Sequence, residues 1–187
     1  MHVIRYLKGS IDRGLFYRRA ETQNGGLPIG YSDSDWAGPN TGRKSVGGFI
    51  FLFGDSPISW QSKKQTCIAT STNEAEYMAA SEAAKEATWI RRVYTDMRVD
   101  ESILLPPINL NMDNQGAIAL TSTEGTKRSK HIDVRFHHVR DLQQQGIVSI
   151  NNVPSSAMAA DGLTKILRTD AFNRFLSLIN MAEEVDG

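Results

Sequence analysis

The hydrophobic pattern along the chain changes its period near residue 71. Before that point, short apolar runs and alternating apolar and polar residues are separated by Gly, Pro, Asn and Asp, which is typical of strands joined by turns. A turn at residues 54–57 makes two of these strands a hairpin, and the pair Gly47-Gly48 inside a strand indicates a bulge or a close backbone approach. The strands are predicted over residues 14–19, 28–36, 44–53, 58–62 and 66–70.

After residue 71 the pattern becomes helical. Apolar residues such as Ala75, Ala79 and Ile90 recur at helical spacing in a segment rich in Ala and Glu. Ser71 or Thr72 can cap this helix, with a capping-box glutamate close behind. Helices are predicted over residues 3–7, 71–97, 114–121, 129–145, 155–167 and 170–181, and further strands over residues 108–112 and 146–153.

The order of these elements predicts an α/β fold, a sheet with helices packed on its faces. At 187 residues the chain is one domain by length, with short appended pieces at most. The sequence has no apolar run near the roughly 20 residues that a membrane span needs. The single cysteine, Cys67, excludes an internal disulfide and fits a reducing compartment, and we expect it to be a small buried residue.

Net charge does not indicate a polyanionic partner, because 21 basic residues balance 21 acidic ones. The charge is unevenly distributed, however. Residues 1–20 and 127–140 are both rich in Lys and Arg, which is compatible with phosphate contacts. Solvated helix faces explain either segment equally well.

Four acidic residues lie among apolar or small neighbours on four different predicted elements: Asp33, Glu76, Asp113 and Asp161. Each has an ordinary explanation taken alone: Asp33 as a turn residue, Asp113 as a helix N-cap, and Glu76 and Asp161 as surface acids. If the four converge, they repel one another unless a divalent cation neutralises them. An oxygen-only ligand set favours magnesium or manganese over zinc.

Several short motifs, in consistent order from residue 3 to residue 165, resemble the ribonuclease H segment of copia-type LTR retrotransposon polyproteins. Two motifs near the N-terminus resemble the end of the reverse transcriptase that precedes it. The motifs are IRYLKG (4–9), GLFY (14–17), GYSDSDWAG (30–38), RKS (43–45), ISWQSKKQ (58–65), EAEYM (74–78), MDNQ (112–115), SKHIDVR (129–135) and ADGLTK (160–165).

The resemblance implies a ribonuclease H-like α/β fold: a five-stranded mixed sheet, with three antiparallel and then two parallel strands, flanked by helices. It also implies that Asp33, Glu76, Asp113 and Asp161 are both the catalytic residues and the metal ligands. Asp35 is the alternative to Asp33, since it lies two residues on and shares its side of the strand. We favour Asp33 because its Tyr-Ser-Asp spacing matches the strand pattern of the family. We expect Asp35 to lie next to the metal ligands without binding the metal itself.

The implied activity is metal-dependent hydrolysis of the RNA strand of an RNA–DNA hybrid during reverse transcription. Two Mg²⁺ ions, for which Mn²⁺ can substitute, bridge the carboxylates and the scissile phosphate in such enzymes, and the products carry 3′-hydroxyl and 5′-phosphate ends. By the same resemblance, Asn73 and Gln115 contact the RNA strand, although Asn73 can equally be a helix cap. Lys130 and His131 are expected to contact phosphates.

The implied organisation is an N-terminal segment at residues 1–27 from the end of the reverse transcriptase, a ribonuclease H domain at 28–167 and a helical tail at 168–187. We expect an intracellular protein (cytoplasm, virus-like particle or nucleus), monomeric as an isolated domain, with the polymerase domain as a partner and no membrane. Two alternatives stay open. One is a non-catalytic hybrid-binding or scaffold module from a decayed or domesticated element. The other, an integrase or resolvase, disagrees with the motif order.

Overall fold

The structure is a computed structural model that describes residues 2–17, 26–36, 44–97, 104–122 and 130–183. For residues 2, 122 and 130–136 it describes the backbone alone. Residues 127–129 of the second basic segment and residues 18–19 of the first predicted strand lie outside the described residues.

Five strands of the described chain form a mixed sheet in the order β4-β3-β2-β5-β6. The first three pair antiparallel, and β5 and β6 then continue the sheet in parallel. This arrangement confirms the predicted fold class. The strands are β2 (Ile29–Asp35), β3 (Val46–Phe53), β4 (Ser56–Lys64), β5 (Ile108–Met112) and β6 (Val148–Asn152), and β1 (Arg13–Leu15) lies outside this sheet.

Helices cover both faces of the sheet. On one face, the long α2 places four fully buried alanines against the strands, and small side chains let the helix approach the sheet closely. On the other face, residues around Met158 and Ile179 pack on Ile50 and Leu52 of β3. The helices are α1 (His2–Lys8), α2 (Thr72–Met97), α3 (Gln115–Ser122), α4 (Lys130–Gln144), α5 (Asp161–Thr164) and α6 (Thr169–Leu178).

The start of α2 is capped as the sequence predicts. The hydroxyl of Ser71 accepts a hydrogen bond from the backbone N–H of Glu74 at 3.2 Å, which satisfies one of the helix's free donors. The Glu74 carboxylate reaches back to the backbone N–H of Thr70 at 2.8 Å. This cap fixes where the helix begins, and therefore which side chains of its first turns face the sheet.

The predicted strand at residues 66–70 is wrong. The sheet ladder ends at Lys64 of β4, and the following residues leave it to pack on the first turns of α2. Ala69 and the partly buried Cys67 contact Ala75 and Met78 there. Local strand propensity is therefore overridden by packing against the helix.

The predicted helix at residues 155–167 is also wrong in its extent. It is broken into a 3₁₀ turn at Ser155–Ala157 and the four-residue α5, because Met158 turns extended between them. Met158, Ala159 and Ala160 are buried in the core at this break. A continuous helix does not form here because these apolar residues are buried against the sheet instead.

The two ends of the described chain are joined. The predicted helix at residues 170–181 stops at Leu178, and a short strand, β7 (Met181–Glu183), follows and pairs antiparallel with β1. Beside this ladder, Asn180 donates hydrogen bonds to the carbonyl of Phe16 and to the buried Ser56 hydroxyl. We call this β1–β7 ladder with Asn180 the terminal clasp.

Within the described ranges, no helix has both the length and the apolar character required to span a membrane.

Candidate metal centre

Asp33 lies in the middle of the sheet and is fully buried. It is on β2, which is flanked by β3 on one side and β5 on the other. Both of its carboxylate oxygens have partners: the Thr164 hydroxyl donates to Oδ2, and the Lys165 ammonium lies 3.0 Å from Oδ1. Both donors come from the end of α5, so this short helix closes over the central strand.

Glu76 reaches the same place from α2. Its side chain is buried at 4% exposure, and its carboxylate accepts a hydrogen bond from the backbone N–H of Ser34 on β2. The other oxygen, Oε2, is buried and has no hydrogen-bond partner among the residues that the structure describes. A buried carboxylate oxygen without a donor is costly, and a bound cation would supply the missing partner.

Asp113 follows the last residue of β5, and it is half-buried. Its Oδ2 accepts a hydrogen bond from the Ser155 hydroxyl at 2.8 Å. The N-cap of α3 is the next residue, Asn114, whose Oδ1 accepts from the backbone N–H of Ala117 at 3.0 Å. The alternative that Asp113 merely caps this helix is therefore wrong, and its carboxylate is free to face the other acids.

In the described parts of the chain, Asp33, Glu76 and Asp113 form one group, in which one carboxylate oxygen from each residue lies within 4.8 Å of the other two. Burial, followed by the charges of Asp33 and Asp113, raises the pKa of Glu76 to about 9, although Lys165 and the Ser34 N–H act in the opposite direction. Ionising all three carboxylates here therefore costs free energy unless a cation neutralises them. Their oxygen-only donor set and the unpartnered Glu76 oxygen both fit Mg²⁺ or Mn²⁺.

Asp161 stands beside this group, at the first position of α5, and is half-buried. Its Oδ1 lies 2.7 Å from the Lys165 ammonium, which links it to Asp33. Burial raises the pKa of Asp161, the hydrogen bond from Lys165 lowers it, and the charge of Asp33 raises it again. Asp161 thus joins the other acids through Lys165.

Three residues that hold these acids were not predicted from the sequence: Ser155, Thr164 and Lys165. Burial lowers the pKa of the Lys165 ammonium, and the carboxylates of Asp33 and Asp161 raise it by more, so that it lies above its ordinary value. The spacing of Asp161 and Lys165, four residues apart on a predicted helix, was a signal for this pair. No local pattern could have indicated the contacts of Thr164 and Ser155, because their partners are distant in the sequence.

Asp35 lies two residues beyond Asp33, at the end of β2, and is half-buried. It pairs with Val46 at the start of β3. The carboxylate that meets Glu76 and Asp113 is that of Asp33, as the sequence favoured.

The predicted substrate-contacting residues lie at helix starts. Asn73 and Gln115 are exposed, at the first turns of α2 and α3. The two helices approach each other closely here: a Cβ added at Gly116 would lie only 2.5 Å from the Asn73 amide. Asn73 does not cap α2, since Ser71 does. Lys130 and His131 begin α4, but their side chains are outside the described part of the structure.

Known proteins resemble this chain in sequence. The retrovirus-related Pol polyprotein from transposon TNT 1-94 of Nicotiana tabacum is 35% identical over 182 residues, which are 96% of this chain and 13% of the polyprotein. The Pol polyprotein from transposon RE1 of Arabidopsis thaliana is 35% identical over 181 residues, 96% of this chain and 12% of the polyprotein. The chain therefore spans only a small part of each relative. No model of a protein family matches the chain.

Solved structures resemble it in fold. LC11-RNase H1, a ribonuclease H1 isolated from compost, superposes with a TM-score of 0.54 and 17% identity, over 81% of this chain and 99% of that one. The same enzyme in complex with an RNA/DNA hybrid gives a TM-score of 0.52 and 18% identity, over 73% and 93% of the two chains. The homologues of this chain are therefore Pol polyproteins of copia-type retrotransposons, and its fold is that of ribonuclease H.

Proposed function

We propose that this chain cuts the RNA strand of RNA–DNA hybrids, in the presence of a divalent metal ion, as part of a retrotransposon Pol polyprotein. The observation that carries the proposal is the meeting of three carboxylates, two of them buried, beside the central strand of a ribonuclease H fold, with one oxygen of each within 4.8 Å of the others. The hybrid complex of the compost enzyme supports the choice of substrate. The retrotransposon relatives support the setting, reverse transcription.

Asp33, Glu76 and Asp113 would hold Mg²⁺, with Asp161 as a fourth ligand. Magnesium ions bound there would supply charge for the attacked phosphate and lower the pKa of a bound water. The chain's own part is orientation: the Ser34 N–H holds Glu76, and the Ser155 hydroxyl holds Asp113. Fixed carboxylates of this kind act by positioning and charge stabilisation, and the products would carry 3′-hydroxyl and 5′-phosphate ends.

Asn73 and Gln115 would distinguish RNA from DNA. Both carry amides, which donate and accept hydrogen bonds as a ribose 2′-hydroxyl requires, and both are exposed where α2 and α3 begin. Glu76 is on the first turns of α2, and Asp113 directly precedes α3, so each amide lies within three residues of one of the acids. Lys130 and His131, at the start of α4, would contact phosphates.

We further propose that residues 28–167 form the nuclease domain, that residues 1–27 continue from the polymerase region and that residues 168–187 are an appended tail. The polymerase region is then the neighbour of this domain in the polyprotein. The Pol relatives support this arrangement, because the match covers nearly all of this chain and a small part of each of them.

A cleavage assay tests the proposal. The purified chain is incubated with end-labelled RNA–DNA hybrid, duplex RNA and duplex DNA, with Mg²⁺ or with EDTA. We expect cleavage of the RNA strand of the hybrid alone, and only with Mg²⁺. Asp113→Asn, which removes one carboxylate from the group, should abolish it.

Cleavage by Asp113→Asn at the wild-type rate would overturn the site assignment. Binding of the hybrid without cleavage, under conditions where a cellular ribonuclease H cuts it, would favour the non-catalytic binding module instead.

A further inference from the structure

Lys165 lies between two of the acids that the proposed function assigns to the metal. Its ammonium is 3.0 Å from Asp33 Oδ1 and 2.7 Å from Asp161 Oδ1. One cation therefore bridges the central strand and the start of α5. A divalent ion that bridged Asp33 and Asp161 through these same two oxygens would displace Lys165, because it binds at the shorter distance of about 2.1 Å.

The remaining oxygen of Asp33 is occupied as well, because Thr164 donates a hydrogen bond to Oδ2. An ion at either oxygen of Asp33 therefore shares that oxygen with a donor from Thr164 or Lys165. Thr164 is buried, but the Lys165 side chain is 36% exposed and ends a long flexible stem. Lys165 is therefore the donor of the two whose side chain can move away into solvent.

We infer that Lys165 is a tethered cation that competes with divalent metal for Asp33 and Asp161. The inference rests on the proposed metal site. In the metal-free chain Lys165 holds these two carboxylates together, and it leaves when an ion takes its place. The chain thereby sets its own metal affinity, and Lys165 is a positioning residue that contacts the ligands and not the substrate.

Calorimetric titration of the full chain with Mn²⁺, without nucleic acid, tests this competition. Lys165→Met keeps the length of the stem and removes the charge. Lys85→Met is the matched control, because Lys85 forms an ion pair of 2.8 Å with Glu82 on the exposed side of α2. Lys165→Arg keeps the cation.

We expect Lys165→Met to bind Mn²⁺ about tenfold more tightly than the wild type, since a charge that competes for the same oxygens has been removed. Lys85→Met and Lys165→Arg should stay near the wild-type affinity. Equal or weaker Mn²⁺ binding by Lys165→Met, including no binding at all, would overturn the inference. A rise in the Mn²⁺ affinity of Lys85→Met as large as that of Lys165→Met would also count against it.

A second measurement on the wild-type chain covers the case in which Lys165→Met does not fold without metal. The side-chain ammonium resonance of Lys165, assigned by its loss in Lys165→Arg, should shift when Mg²⁺ is added. A resonance that stays in place at saturating Mg²⁺ would contradict the competition.

The cleavage assay keeps the two proposals apart. Wild-type cleavage with an unchanged Mn²⁺ affinity in Lys165→Met would leave the nuclease standing and remove the tethered cation. If Lys165→Met binds Mn²⁺ more tightly but the wild-type chain cleaves no substrate, the tethered cation stands and the nuclease proposal falls.

Discussion

Asp33 on β2 is paired directly with Gly48 on β3, and the missing side chain at Gly48 gives α5 room to reach the carboxylate. A Cβ at Gly48 would come 2.9 Å from Thr164 Cγ2 and 3.0 Å from Leu163 Cβ. The glycine pair that the sequence analysis interpreted as a close approach therefore lies under the residues that close the site.

Gly48→Ala should destabilise the fold and displace α5. We expect a loss of about 1–3 kcal/mol, because the added methyl group overpacks the contact between β3 and α5. Urea unfolding measures it. The control is Gly14→Ala on β1, where a Cβ meets no atom within 4 Å. Equal stability of the two variants would contradict the close approach.

Asp113 and Asn114 are neighbours with separable roles. Asn114→Ala should cost about 1 kcal/mol of stability, because it removes the N-cap of α3. Asp113→Asn should leave stability unchanged or slightly higher and abolish cleavage. Urea unfolding and hybrid cleavage, measured on both variants, test whether the two roles are separate. An Asn114→Ala variant that is fully stable but inactive would contradict this prediction.

Stability of the metal-free chain should fall as the pH rises. The pKa of Glu76 is raised from 4.5 to about 9 by burial and by its acidic neighbours. A carboxyl with a higher pKa in the folded state binds its proton more tightly there, so its contribution is complete below pH 4.5 and is lost as the pH approaches about 9. Unfolding in urea with EDTA, across that range, measures the decline.

Glu76→Gln should remove most of that decline and be more stable than the wild type at pH 8. Glu82→Gln on the same helix is the control and should keep the wild-type pH dependence. A Glu76→Gln variant with the same slope as the wild type would show that Glu76 is not the titrating group.

Asn73→Ala and Gln115→Ala should each weaken binding of the RNA–DNA hybrid. We expect a loss of roughly 1 kcal/mol each, typical of one hydrogen bond, with no change for duplex DNA. The affinities for the hybrid and for duplex DNA are compared with Ca²⁺ in place of Mg²⁺, so that binding is measured without cleavage. Gln144→Ala is the control, since it is exposed at the end of α4 that leads into the start of β6, away from Asp113.

Much of the fold could be predicted because each long element carries a periodic pattern of its own. The helical spacing of apolar residues in α2 indicated a helix with one buried face, and the family resemblance implied the sheet topology. Residues 66–70 and 155–167 could not be assigned in the same way, since packing on α2 and on β3 decides their conformation. Strand β7 was missed because three residues carry no period, and its partner β1 lies at the other end of the chain.

The candidate site, too, could be predicted only in part. Its acids could be named because they interrupt apolar patterns, whereas their hydrogen-bond donors could not. Ser155 and Asp113 are 42 residues apart, and Thr164 and Asp33 are 131 apart. Contacts at such separations follow from the folded topology and not from any local spacing.

The terminal clasp has a consequence for the order in which the chain folds. Arg13 and Glu183, which pair across it, are 170 residues apart, so closing this contact early would restrict nearly the whole chain for a three-residue ladder. We expect the clasp to form after the central sheet has brought its two halves together, and to open first on unfolding. During synthesis β1 therefore has no partner strand until β7, at the end of the described chain, has been made.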